Sequence, residues 1–485
     1  MRTRLSCCVA AIALVLGLTA GAQAPNRAEP PQPGPVPAFR PPAVQKRTLS
    51  NGLPVWVVEL HKVPVVQVSL VVRGGADADP QGKYGVASLT AAMLDEGAGN
   101  RTALQIADAL DYLGASLNTS SGFDSANVSL WIPSARLSDA LPIMADIALR
   151  PTFPTDELER LRKERLTSLL QARDDPASIA EMAFPRLLYG ASKRYGVPTG
   201  GTPETIRSFT PADLRGFYGE WYRPANAALI VVGDVKPDAV LPTLESSFGS
   251  WKTGQSGEAE AASAPASPVA ATTEPRRVFI VDKPGAAQSQ IRIGRVGVAR
   301  STPDYFPIEV MNTILGGSFT SRLNQNLREQ HGYTYGAGSG FVMRFRPGPF
   351  FAAAGVETDK TADALKEFFN EFEGILKPVP PQELARAKNY VALGFPSEFE
   401  TTASISGRLA ELWLYRLPDD YFANYIPRIL AVTAADVEQV AKKYINPTGF
   451  LVVVVGDRKV VEPGIAALKL GPVEVLSVTQ ALGPQ

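Results

Sequence analysis

The sequence predicts an α+β fold built as a tandem repeat of two homologous α/β domains, each an antiparallel-containing sheet with helices on one face. Three observations predict it. Strand-like and helix-like segments run through the first half, stop at a stretch rich in Gly, Ala, Ser, Pro and Thr, and then begin again. Three short motifs recur at a single offset of 223 residues: Thr210-Pro-Ala-Asp-Leu214 with Thr433-Ala-Ala-Asp-Val437, Trp221-x-x-Pro224 with Tyr444-x-x-Pro447, and Val232-Gly-Asp234 with Val455-Gly-Asp457. A constant offset over three separate matches marks an internal repeat. Strands and helices also come in pairs, the pattern of α+β layers. The domains are placed at 47–252 and 276–470, with a linker at 253–275 and a tail at 471–485.

Residues 1–24 read as a signal peptide. Arg2 and Arg4 precede the short apolar run Val9–Leu18, and small residues follow at Ala20, Ala22 and Ala24. The run is too short to span a bilayer, so the chain is expected to be exported, and periplasmic in a Gram-negative bacterium. Cys7 and Cys8, the only cysteines, lie before that run. The mature chain would then have neither disulfides nor thiol chemistry. Residues 25–46 are rich in proline and read as an extended spacer.

In the first domain, Val55–Val58 and Val66–Val72 read as strands, with a turn at Asn51-Gly52. Tyr84–Glu96 and Thr102–Leu113 read as helices. Ala126, Val128, Leu130 and Ile132 alternate with polar neighbours as a half-buried strand does. Asp156–Arg173 and Pro211–Tyr222 read as amphipathic helices and Ala228–Val232 as a buried strand. In the second domain, Val278–Val281, Gln290–Val298, Phe350–Val356 and Val452–Val455 read as strands. Phe306–Leu315, Ser321–Gln330 and Thr361–Leu376 read as helices. Thr210 and Thr433 stand where helix N-caps are expected.

Composition excludes some classes. Hydrophobic residues make up 45% and charged residues 20%, ordinary for a globular protein. Lys plus Arg number 48 and Asp plus Glu 48, a balance that favours neither nucleic acid nor an anionic membrane. No later window is long and apolar enough to span a membrane after signal cleavage.

The stretch Leu315–Phe341 (LGGSFTSRLNQNLREQHGYTYGAGSGF) concentrates the chemistry. A glycine pair opens it. Leu323 and Leu327 share one helix face, and Gly332 ends the helix. Arg328 falls in the last turn, and Tyr335 falls in an aromatic, glycine-rich loop beyond. Arg offers a fixed fork of donors to carbonyl or carboxylate oxygens, and Tyr offers a rigid hydroxyl donor. The packing alternative makes Arg328 a helix-end cap and Tyr335 half-buried core.

From about Arg47 to about Lys459 the chain resembles the pitrilysin, or M16, family of zinc peptidases. The resemblance is carried by Val71-Val-Arg-Gly-Gly-Ala76, by Gly85-Val-Ala87 with Met93, and by Leu315-Gly-Gly through Ser321-Arg-Leu323 and Leu327-Arg-Glu329 through Gly332-Tyr-Thr-Tyr335. It implies half of a clam shell built from two such repeats. It also implies an inverted zinc motif, His-x-x-Glu-His, on the first long helix, where two His one turn apart reach one Zn²⁺ and the Glu activates its water. In the frame set by Gly85 and Met93, the first His position holds Ser88, the Glu position Ala91 and the second His position Ala92. The more distant Glu ligand aligns at Gln171. The chain's two histidines, His61 and His331, are 270 residues apart (331 − 61). Neutral Ser and Ala side chains cannot hold a divalent ion, so the chain is expected to carry no metal or cofactor of its own. Asp95 and Glu96 read as helix-end carboxylates. The second-domain signature is whole, and the resemblance implies that Arg328 holds a substrate backbone oxygen while Tyr335 stabilises the oxyanion.

These expectations describe the non-metal subunit of a heterodimeric peptidase, with Zn²⁺ supplied by a zinc-motif homologue and peptides as substrates. The alternatives are an inactive scaffold subunit of a larger assembly and a peptide-binding module without chemistry. A serine hydrolase ranks last, because no Ser sits in a nucleophile-elbow pattern.

Overall fold

The computed structural model describes residues 38–251 and 275–484. The expected signal peptide, most of the proline-rich spacer and almost all of the linker lie outside them. The first six-stranded sheet uses β1 (Gln45–Thr48), β2 (Pro54–Glu59), β3 (Val65–Val72), β4 (Ser116–Ser121), β5 (Ala126–Pro133) and β6 (Ala227–Gly233), in the order β1-β2-β6-β3-β5-β4. The second uses β7 (Arg277–Asp282), β8 (Gln288–Val296), β9 (Thr334–Phe341), β10 (Pro349–Glu357), β11 (Leu451–Gly456) and β12 (Val473–Ser477), in the order β9-β10-β8-β11-β7-β12. Five strands correspond one to one. Only the sixth differs: β1 lies antiparallel to β2, whereas β12 lies parallel to β7.

The repeat offset persists in the hydrogen-bond register. Val55 faces Leu229 across β2/β6, and Val278 faces Val452 across β7/β11. Gln67 faces Val232, and Gln290 faces Val455. Both members of each pair are displaced by 223 residues, so the duplication preserved the pairing register as well as the letters. Register is held this tightly because a one-residue slip would turn each strand's buried face outward.

The helices that matter here are α1 (Val86–Ala92), α2 (Ala103–Leu113), α3 (Leu137–Leu149), α4 (Thr155–Ala172), α5 (Pro176–Tyr189), α6 (Pro211–Trp221), α7 (Tyr305–Leu315), α8 (Thr361–Gly374), α9 (Thr402–Leu414), α10 (Ala434–Tyr444) and α11 (Val478–Leu482). Thr210 and Thr433 cap α6 and α10 through reciprocal boxes with Asp213 and Asp436, the same device at the repeat offset. In the first sheet, Val66, Val68, Leu70 and Val72 join α1, α3 and α6 in one core. The opposite face is covered by the other domain: α9 packs on β3 and β6, and Ser406 Oγ donates to Ser69 Oγ at 2.9 Å. Reciprocally, α5 packs on β8 and β11, with Ile179, Ala183 and Phe184 against Val453 and Val455. Each sheet thus carries its own helices on one face and a helix of its sister on the other. This double cover is why β6 and β11 are buried at every position and read as unbroken apolar runs.

Other bonds fasten the halves. Arg73, within the Val71–Ala76 segment, stacks on the Trp413 ring at 4.0 Å and donates to the Trp413 carbonyl at 2.7 Å. Burial, with Arg416 nearby, lowers its pKa to about 10. Asp124 accepts from the Tyr415 hydroxyl and from the Phe345 amide.

Several expectations change. The helix expected over Tyr84–Glu96 spans only Val86–Ala92. Gly85 sets its start, at φ +104° with the Gly200 carbonyl where a Cβ would stand, and Asp79 accepts from the Gly85 and Ala87 amides. Residues 473–482, assigned to a tail, supply β12 and α11, so the second domain runs past 470. Phe39, assigned to the spacer, packs its ring on Phe395 and Phe399. Sequence reading also passed over β4, which has one apolar residue, and α3, α5 and α9, the first two of which carry a proline inside the helix.

Candidate functional site

The Leu315–Phe341 stretch is a helix end, a helix and an edge strand bolted together. α7 stops at Leu315, and Gly316 lies so close to β9 that a Cβ there would stand 2.4 Å from the Ser339 amide nitrogen. Only glycine permits that approach. Asn312 closes the junction twice, donating to the Ser339 carbonyl at 3.1 Å and accepting from its hydroxyl at 2.8 Å. Ser321 then begins a helix over Arg322–Asn324 that widens into a π turn over Gln325–Gln330. Such wide turns add a residue and recur at functional sites. Leu323 and Leu327 are fully buried, as their spacing predicts. Arg322 forms a two-pronged ion pair with Glu383 at 2.8 and 2.7 Å, and Asn324 bonds the Phe319 carbonyl and the Ala337 amide.

Arg328 lies in that π turn, its side chain 38% exposed. Its guanidinium stands 4.7 Å from the Phe319 ring centroid, and its Nε lies 3.3 Å from Glu329. The segment expected to be a loop after Gly332 is instead the edge strand β9. Glycines at 336, 338 and 340 hide its strand character, which comes from tertiary pairing with β10. Between Thr334 and Ala337 the pairing slips: Tyr335 and Gly336 together oppose Gly355. That is a β-bulge, a device that re-aims a side chain beside a site. Thr334 pins it, donating from Oγ1 to the Gly355 carbonyl at 2.6 Å and accepting from the Gly336 amide at 3.1 Å. Tyr335 is turned outward and is 89% exposed. It is therefore not half-buried core. Phe319 beside Arg328 is 58% exposed. Phe319 and Thr334 were not singled out from sequence, although an aromatic between a Gly pair and a helix start could have flagged the first. The arrangement offers solvent an Arg fork resting on an aromatic face, and a separate phenol hydroxyl. Both are donors suited to a carbonyl or its oxyanion.

The other half of the expected site is filled. On α1, Ala91 is buried, while Ser88 and Ala92 are half-buried; Ala87 and Leu94 face the core as expected. The α4 residue that reaches this helix is Arg165, which donates from Nη2 to the Ser88 carbonyl at 2.9 Å. Its Nη1 is buried without a partner, and burial lowers its pKa. Gln171, the aligned position of the distant ligand, is exposed six residues further along α4. Zinc does not fit these residues: no imidazole, thiolate or carboxylate stands at 88, 91 or 92, and the Arg165 guanidinium already touches residue 88. Asp95 and Glu96 lie just past the end of α1, the first accepting from Thr119 and the second paired with Arg160 at 2.5 Å. His61 lies at the surface with both ring nitrogens held, Nδ1 by Asp234 at 2.7 Å and Nε2 by Glu59 at 3.1 Å; these bonds raise its pKa. Ser134 donates to Asp234 rather than to this imidazole, so the three do not form a nucleophilic triad. His331 stacks on Tyr333 at 4.9 Å.

Fold and site together define a peptidase-like chain whose metal helix carries no ligand set and whose second-domain signature is whole. Residues 55–193 match the family described as Insulinase (Peptidase family M16), and residues 208–391 match the one described as Peptidase M16 inactive domain. The chain is 25% identical over 400 residues to an uncharacterized zinc protease of Rickettsia bellii, covering 81% of this chain and 93% of that one. It is 23% identical over 412 residues to the non-peptidase homolog YmxG of Helicobacter pylori, covering 84% and 92%. Among solved structures it resembles a peptidase M16 inactive domain from Pseudomonas fluorescens, with TM-score 0.76, 27% identity and coverage of 85% and 98%. A protease from Helicobacter pylori shares the fold at TM-score 0.78 and 22% identity, with coverage of 85% and 99%. The chain belongs to the M16 peptidase family.

Proposed function

We propose that this chain is the substrate-holding, oxyanion-stabilising subunit of a two-chain M16 peptidase working outside the cytoplasmic membrane, in the periplasm if the organism is Gram-negative. A homologue bearing His-x-x-Glu-His would bring Zn²⁺, its water and the general base. Arg328 would hold a substrate carbonyl and Tyr335 would donate to the developing oxyanion. The observation that carries this reading is the outward Tyr335. A bulge pinned by Thr334 sets a phenol hydroxyl in solvent, and packing gives no reason for that. Exposure of Phe319 beside Arg328 fits a wall awaiting its opposite half.

The test mixes this chain with a zinc-motif homologue of the same organism and follows hydrolysis of a quenched-fluorescence peptide. The mixture should cleave and this chain alone should not. Tyr335→Phe should lower kcat by about 10²–10³, the usual loss for one oxyanion donor, and Arg328→Ala should raise KM. Full activity in both variants would refute the assignment.

A second reading, an inactive scaffold subunit, is favoured by the likeness to a Helicobacter pylori protein described as a non-peptidase homolog. Co-purification with large non-peptidase partners, and no cleavage with any zinc-motif homologue, would select it.

A further inference from the structure

Arg328 and Tyr335 reach solvent from different elements, the first from the π turn and the second from strand β9. One bound peptide can use both only if their spacing is fixed. A side chain that crosses between the two elements is Asn324, at the last position before the helix widens. Its Nδ2 donates to the Phe319 carbonyl at 2.7 Å, and its Oδ1 accepts from the Ala337 amide at 3.2 Å. Phe319 carries the ring on which the Arg328 guanidinium rests. Ala337 is the first residue after the bulge that turns Tyr335 outward. Before the bulge, the Tyr333 amide donates to the Leu327 carbonyl at 2.9 Å. Tyr335 is therefore tied to the turn from both sides, and the second tie runs through a side chain. Asn324 is 4% exposed and follows the fully buried Leu323. Helix formation and core packing both favour an apolar residue at such a position, because an Asn amide competes for backbone groups. Here that amide spends both of its ends on partners outside its own helix.

We propose that Asn324 is a positioning residue that sets the Arg328 fork and the Tyr335 hydroxyl at one spacing, so that a single bound peptide meets both. This rests on the peptidase reading above, in which Arg328 holds a carbonyl and Tyr335 stabilises the oxyanion. Asn324 acts through its two partners. Without its amide, the seat of Arg328 and the strand after the bulge move independently, and each donor drifts on its own. Misplacement of about 1 Å costs as much as roughly 10²-fold in rate.

Kinetics of the mixed two-chain peptidase test this, together with hydrogen exchange on this chain alone. Asn324→Leu, close to Asn in size, should raise KM about tenfold and lower kcat about tenfold. A folding defect would lower kcat alone, by shrinking the active fraction. Asn324→Gln, which keeps the amide, should recover part of both. Added to Arg328→Ala, Asn324→Leu should raise KM no further, and added to Tyr335→Phe it should lower kcat no further. In this chain alone, exchange of the Ala337 amide should quicken by roughly tenfold in Asn324→Leu. If Asn324→Leu does not fold, Asn324→Ala removes the same two bonds without added bulk and should give the same pattern. An unchanged KM or kcat, fully additive effects, or unchanged exchange at Ala337 would overturn the proposal and leave the peptidase reading in place. A mixture that does not cleave even with the unaltered chain would instead overturn the peptidase reading, and the positioning role with it.

Discussion

Two glycine-to-alanine substitutions in the same signature should behave very differently, and the contrast tests whether the Arg–Tyr segment is bolted down as described. At Gly316 a Cβ would stand 2.4 Å from the Ser339 backbone nitrogen, closer than real Cβ contacts come. Backbone cannot swing aside as a long side chain can, so α7 and β9 must part. That breaks the 3.1 Å bond from the Ser339 amide to the Gly316 carbonyl and strains both Asn312–Ser339 bonds. Overpacking costs about 1–3 kcal/mol and the lost bond about 1 more, for a total of about 2–4 kcal/mol. At Gly336 the nearest atom to a Cβ is Asn324 Oδ1 at 3.8 Å, an ordinary contact, so Gly336→Ala should cost less than about 0.5 kcal/mol. With about 2 cal/mol/K of unfolding entropy per residue, a cooperative unit of this size loses roughly 1 °C for each kcal/mol. Differential scanning calorimetry should therefore find Tm lowered by about 2–4 °C in Gly316→Ala and almost unmoved in Gly336→Ala. Equal shifts, or the reverse order, would show that the close approach of α7 to β9 does not hold this segment.

Other outcomes follow from the same geometry. Thr334→Val keeps the shape but removes both bonds that pin the bulge, so hydrogen exchange at the Gly336 amide should quicken by roughly tenfold while the fold persists; unchanged protection would contradict the pin. The triple variant Ser88→His, Ala91→Glu, Ala92→His should take up no stoichiometric zinc by atomic absorption while Arg165 stays, and should gain affinity when Arg165→Leu is added; a full equivalent of zinc with Arg165 in place would refute the role given to that cation. Burial pushes the Glu309 carboxyl up to about 7, against a lowering by Arg300 and with Glu411 adding to the rise. Because the folded state then holds a proton that the unfolded state releases near 4.5, Glu309 makes stability fall as pH rises from about 4.5 to about 7 and has no further effect above. Glu309→Gln should flatten that part of the pH profile in urea titrations, and an unaltered slope would discount the group.

Sequence reading reached the duplication, most of the central strands and both capping threonines, because each rests on local pattern or literal repetition. It placed Arg328 at a helix end and Tyr335 just beyond, but made the strand after Gly332 a loop. Glycines at 336, 338 and 340 carry no strand signal of their own, and only pairing with β10 supplies one. α1 came out too long at both ends; its start is fixed by distant groups, the Asp79 carboxylate and the backbone at Gly200, and it stops at Ala92, four residues before the expected end. Arg165 could not have been foreseen, since its meeting with Ser88 depends on how two helices lie across one another. The empty ligand positions at 88, 91 and 92 were legible in the letters alone.

The exchange of α5 and α9 between the halves turns a duplicated chain into a clasp. Made separately, either half would expose to water a sheet face that its sister otherwise covers, with Val71, Ile230 and Val232 on one half and Phe279, Val453 and Val455 on the other, and would tend to aggregate. Cut between residues 252 and 274, the two pieces should nonetheless stay together through dilution and melt as one body. The covalent join matters less to this molecule than the handshake on either side of it.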